Sequence, residues 1–127
     1  MEIIKEKLAA REEIVVAVIH GGFVESKIFR DIDIAIYTNH RIAADEAPTY
    51  IDTLREELEK ALGVAIDIQL LEYAPPYFVY KVLSRGITII EKIPGLVPVL
   101  RIHAFEDFRR LRKIEKHMNV EQMSSSS

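Results

Sequence analysis

Apolar residues recur along this chain with two periods, and each change of period marks an element. Ile3, Ile4 and Leu8 stand near helical spacing among charges, which predicts a short amphipathic helix over residues 3–12. Ile14 to Ile19 is a continuous, β-branched run, the pattern of a strand buried on both faces. It stops at His20-Gly21-Gly22, where paired glycines punctuate the chain. From Asp31 to Tyr37 the period is two: Ile32, Ile34 and Ile36 share one face, and Asp31, Asp33, Ala35 and Tyr37 the other. Residues 39–46 are polar and read as a loop. A helix follows over 48–62, with Ile51, Leu54, Leu58, Ala61 and Leu62 as its stripe, Pro48 in its first turn and Gly63 as its cap.

Residues 64–72 alternate again, placing Val64, Ile66, Ile68 and Leu70 opposite Ala65, Asp67, Gln69 and Leu71. Pro75-Pro76 turns the chain into a helix through Leu83 that Gly86 caps, and 87–91 is a short strand. Residues 95–98 connect to a charged last helix over 104–118, anchored in the core by Phe105, Phe108 and Leu111. The fold class expected is α+β: a small mixed sheet with flanking helices, one domain over 1–120 and a frayed tail over 121–127.

Composition narrows the chemistry. A length of 127 residues suits one domain with a real core, and 49% hydrophobic with 29% charged residues argues against disorder. A net charge of −3 gives general nucleic-acid binding no support. The absence of cysteine excludes disulfides, thiolate metal sites and cysteine nucleophiles. No apolar run approaches a membrane span, and acids interrupt the start of the chain, so a cytoplasmic location is expected.

Asp31-Ile32-Asp33 is the most informative triplet. Residues two apart on a strand share a face and lie roughly 6.5–7 Å apart, so their carboxylates can converge on one divalent ion or a pair. Asp67 is a third acid inside an apolar strand, again opposite an isoleucine row, and neighbouring strands would bring all three together. The bland alternative is a sheet with one wet face and solvated aspartates. Against it, aspartate is disfavoured in strands, and an unpaired buried carboxylate costs several kcal/mol. The glycine pair is by itself an ordinary tight turn. After a buried strand, though, it lets backbone N–H groups approach phosphate oxygens.

In that order (strand, Gly21-Gly22, eight residues, Asp31-Ile32-Asp33, and later Asp67 on a strand) the sequence resembles the nucleotidyltransferase superfamily typified by DNA polymerase beta. It is similar in particular to the minimal nucleotidyltransferases related to kanamycin nucleotidyltransferase, over about residues 10–92. The segment Val82 to Ile90 also resembles that family's helix-glycine-strand ending. Two departures stand out. Gly22 occupies the usual place of a serine, and Arg30 the place of the serine before the first aspartate.

The resemblance implies Mg²⁺-dependent transfer of a nucleoside monophosphate from an NTP, ATP first among them, to an acceptor hydroxyl. Asp31, Asp33 and Asp67 would be the catalytic, metal-binding acids for two ions. Gly21, Gly22, Ser26, Lys27 and Arg30 would bind the nucleotide, Ser26 supplying the hydroxyl missing at Gly22. Lys27 and Arg30 can equally be routine basic residues of a solvated loop. The resemblance also implies a rival: a catalytically degenerate module that acts, antitoxin-like, by binding a helical HEPN-type partner. With no second domain to wall off an acceptor, a homo- or hetero-oligomer is expected, with the last helix a candidate docking element.

His20 adjoins the glycines, but a strand-end histidine is usually structural. Tyr73, Tyr77 and Tyr80 are expected to pack rather than to stack a base. The basic last helix suits RNA or an acidic partner, or is simply a solvated face.

Overall fold

A computed structural model describes residues 1–21 and 31–125. The order is α1 (Glu2–Ala9), β1 (Val16–His20), β2 (Asp31–Tyr37), α2 (Ala47–Leu62), β3 (Ala65–Leu70), a 3₁₀ turn (Leu71–Tyr73), α3 (Pro76–Arg85), β4 (Ile87–Glu91) and α4 (Leu96–Ser125). The four strands form one mixed sheet in the order β3-β2-β1-β4. Strand β1 pairs antiparallel with β2 and β4, and β2 pairs parallel with β3. The α+β architecture expected from the pattern is the one observed.

Strand alternation sorts the core into two layers. Ile32, Ile34, Ile36, Ile66, Ile68 and Leu70 pack with α1 and α2 through Ile4, Leu8, Leu54 and Leu58. Val16, Val18 and Ala35 face the other way and pack with Val82 and Leu83 of α3 and Val97 of α4. Helices therefore cover both faces over the middle of the sheet, and the wet-face alternative holds only at its open end. The strand ends carrying the acids stay open: Asp31 and Asp67 are exposed and Asp33 is half-buried.

Helix α2 follows its signals, with proline in the first turn and Gly63 left-handed at φ 70°, its N–H donating 2.8 Å to the Glu59 carbonyl. Gly86 does not act as the left-handed cap expected of it, for its φ is −78°. Its role is close approach. A Cβ there would stand 2.4 Å from Val18 Cγ1, 2.7 Å from the Val82 carbonyl and 2.9 Å from the Ile19 carbonyl. The last helix begins at Leu96, well before the expected 104, because Pro98 falls in the first turn, where its missing N–H needs no partner. Phe105 is 40% exposed and meets Tyr80 (5.3 Å) at the rim rather than in the core, whereas Phe108, half-buried against Tyr77 (5.0 Å), does anchor the helix. Leu111 does not: it is 49% exposed, since α3 no longer runs beneath it. As expected, Tyr77 and Tyr80 pack, and the Tyr73 hydroxyl donates to the Ile42 carbonyl. Among the described residues no helix is long and apolar enough to cross a membrane.

An ionic cluster ties α2 to the loop before β1. The Tyr50 hydroxyl donates 2.7 Å to Glu13, and Arg11 pairs with Glu13 and Glu57. Burial opposes ionisation of Glu13, but the Tyr50 hydrogen bond, its own backbone and Arg11 outweigh it and hold its pKa below the ordinary value. A carboxylate depressed on folding stabilises above its unfolded pKa, and that contribution is lost as pH falls through the folded value. Tyr50→Phe is therefore expected to cost about 1 kcal/mol near neutrality and less at acid pH. Urea unfolding at the two pH values checks this; an equal loss at both would remove Glu13 from the account.

Candidate active site

Register assembles the acids. Strand β2 lies beside β3 with Asp33 opposite Asp67 and Asp31 opposite Ala65, and beside β1 with His20 opposite Asp33. Paired residues on neighbouring strands point to the same face, about 5 Å apart. His20, Asp33 and Asp67 thus form one row across three strands, with Asp31 two residues along on the same face. The parallel β2–β3 pairing makes the juxtaposition, and nothing within either strand encodes it.

Gly21 closes the row. It adopts φ 77°, and a Cβ built there would lie 2.2 Å from Asp33 Oδ2. The turn backbone therefore rests against the Asp33 carboxylate, in space only glycine leaves free. Gly22, Ser26, Lys27 and Arg30 lie outside the described residues. Gly21→Ala is expected to weaken nucleotide binding about tenfold or more while costing about 1–3 kcal/mol of stability, from the strained φ and the displaced carboxylate. Titration calorimetry beside a thermal melt separates the two effects, and unchanged binding would mean the turn does not shape the site.

His20, for which the sequence left open both a ligand contact and a structural role, stands opposite Asp33 in the same row. Burial pushes its pKa down; Asp33 and Asp67 pull it up less strongly, and Lys81 adds to the lowering. The ring stands edge-on to Phe78 at 5.6 Å. Its buried Nε2 has no hydrogen-bond partner among the described residues. Lys81 was passed over in the sequence, where nothing marks it. Three residues beyond Phe78 on α3, it is an exposed cation whose charge reaches the His20 ring. Past the free edge of β3 lies a cleft of about 380 Å³, lined by Ile51, Ile68, Leu70, Pro75 and Phe78, with Gln69 two residues along from Asp67. The buried Gln69 Oε1 also lacks a partner among the described residues.

As placed, no three His, Asp or Glu side chains among the described residues are gathered around one point suited to a metal ion. The backbone and the donor chemistry nevertheless fit one. The three carboxylates offer the hard oxygens Mg²⁺ takes, Asp33 and Asp67 are direct cross-strand partners, and Gly21 makes room at Asp33.

The sequence profile described as polymerase beta, nucleotidyltransferase, matches residues 2–94. The chain belongs to this nucleotidyltransferase family. No curated protein matches it significantly. Among solved structures, a toxin–antitoxin chain crystallised with AMP-PNP is 17% identical with TM-score 0.74, the alignment covering 96% of each chain. A chain of the MntA–HepT toxin–antitoxin is 16% identical with TM-score 0.71, covering 96% of this chain and 94% of that one. A third, from the Shewanella oneidensis complex of a tri-AMPylated HEPN toxin with its MNT antitoxin, is 15% identical with TM-score 0.67, covering 97% and 99%. At these identities the likeness is one of fold. It extends past residue 94 to nearly the whole chain.

Proposed function

We propose that the chain transfers a nucleoside monophosphate, AMP first among them, from an NTP to a hydroxyl of a HEPN-type helical partner. The observation that carries this reading is the same-face row of Asp33 and Asp67 with Asp31 beside it, closed by Gly21. Support for the acceptor comes from the fold relative whose toxin is tri-AMPylated.

Asp31 and Asp33 would hold the ions that carry the triphosphate, and Asp67 would hold the ion nearer the acceptor. Bound there, Mg²⁺ supplies charge neutralisation of the phosphates and a lowered barrier to deprotonation of the attacking hydroxyl. Asp67 receives the proton; the acceptor oxygen bonds to the α-phosphorus as its bond to the pyrophosphate oxygen breaks, and pyrophosphate leaves. Gly21 offers backbone at the phosphates.

A second reading is favoured by one residue. Gly22 removes the hydroxyl that the family places beside the phosphates, which suits a module that neutralises its partner by binding alone. Titration calorimetry with ATP in Mg²⁺ and in EDTA, followed by a radiolabelled AMP-transfer assay, separates the two. Metal-dependent binding with transfer supports the enzyme. Binding unchanged in EDTA, with no transfer, overturns it in favour of the binding module.

A further inference from the structure

We propose that the projecting end of α4 is a docking surface for an amphipathic helix of a different protein, one whose apolar ridge is flanked by acidic residues. The surface lies apart from the acidic row, and the inference stands whether or not the chain is catalytic.

The apolar stripe of α4 does not end where the body ends. Val97, Leu100, Ala104 and Phe108 recur at three- and four-residue spacing, with Val97 and Ala104 buried against the domain. The same spacing continues through Leu111, Ile114 and Met118. Helix α3 stops short of them: Tyr77, near its start, already meets Phe108. The helix then runs on to Ser125, about 25 Å at 1.5 Å per residue. Among the described residues nothing covers the continuing stripe, for Leu111 and Ile114 are each 49% exposed and Met118 is 54% exposed. An apolar row that first serves the core and then projects into solvent is the form of a helix awaiting a partner helix.

Charge selects the occupant. Between position 109 and Ser125 stand Arg109, Arg110, Arg112, Lys113 and Lys116 against Glu115 and Glu121, with Arg110 also paired to Asp107, in a chain whose net charge is −3. Two copies packed projection to projection would set these basic segments against each other, an arrangement that like charge disfavours. An acid-flanked helix meets them with the opposite sign. Nucleic acid satisfies the charge but leaves the leucine, isoleucine and methionine uncovered.

The test uses the full chain and two synthetic helical peptides of about three heptads, alike in their leucine ridge and flanked by glutamate in one and lysine in the other. Fluorescence anisotropy is expected to show the glutamate peptide binding about tenfold or more tightly than the lysine peptide, with affinity falling as salt rises. Leu111→Glu with Ile114→Glu is expected to remove that binding, while circular dichroism and ATP titration stay as in the parent chain. Several results would overturn the proposal: no binding of either peptide, equal binding of both, or binding indifferent to the double substitution. So would a dimer in sedimentation that the substitution dissolves, showing a second copy as occupant. Binding of a single-stranded RNA oligomer, or of mixed phosphatidylcholine–phosphatidylglycerol vesicles, in preference to the glutamate peptide would overturn it equally.

Discussion

Asp31→Asn combined with Asp33→Asn is expected to lower AMP transfer by about three orders of magnitude or more, because it removes two charges from the proposed ion-binding row at almost constant shape. Both positions lie at the open end of β2, exposed and half-buried respectively, so the fold is expected to tolerate the loss of their charge. The two effects therefore come apart. Metal-dependent ATP binding should vanish in calorimetry while the melting temperature stays within a few degrees of the parent. Asp67→Asn is the informative companion: assigned the acceptor-side ion and proton, it should reduce transfer more than ATP affinity. Transfer that survives the double substitution would place the chemistry elsewhere. Loss of transfer together with the fold would make the acids structural.

Gly86→Ala is expected to be the most damaging single substitution for stability, at about 2–4 kcal/mol, or a fall of roughly 10–20 °C in melting temperature. The added carbon would meet Val18 Cγ1 at 2.4 Å and two carbonyl oxygens under 3.0 Å, and backbone cannot step aside as a flexible side chain can. Either α3 retreats from the sheet, opening the layer of Val18, Val82 and Leu83, or β4 shifts against β1. Gly95→Ala is the control: its φ of 85° carries a cost of about 1 kcal/mol, but nothing lies within 4 Å of the added carbon. Equal melting temperatures for the two variants would show that the Gly86 contact relaxes cheaply. Since β1 ends in His20 and leads into Gly21, weakened ATP binding in the folded fraction of Gly86→Ala would trace strain from β4 to the site.

Wherever local pattern decides structure, the chain announced its elements. Strand β2 was legible residue for residue because Ile32, Ile34 and Ile36 alternate without a break, and α2 because its stripe, its proline and its capping glycine agree. The family was legible because a turn and two acids at short range carry its chemistry. What lay outside the sequence was whatever depends on which strand lies beside which. The parallel pairing that sets Asp33 opposite Asp67 joins segments more than thirty residues apart, and no periodicity records a register. His20 reads as a strand end until β2 is laid against it and sets it opposite Asp33. Gly86 carries a cap signal, yet its necessity comes from Val18 on a distant strand. Leu111 shows the same limit from the other side, because helical spacing marks it as apolar without saying whether anything lies beneath it. Sequence determined the faces of each element and the chemical character of the site. Tertiary structure decided what each face meets, because contact between distant segments is set by the packing of the whole chain.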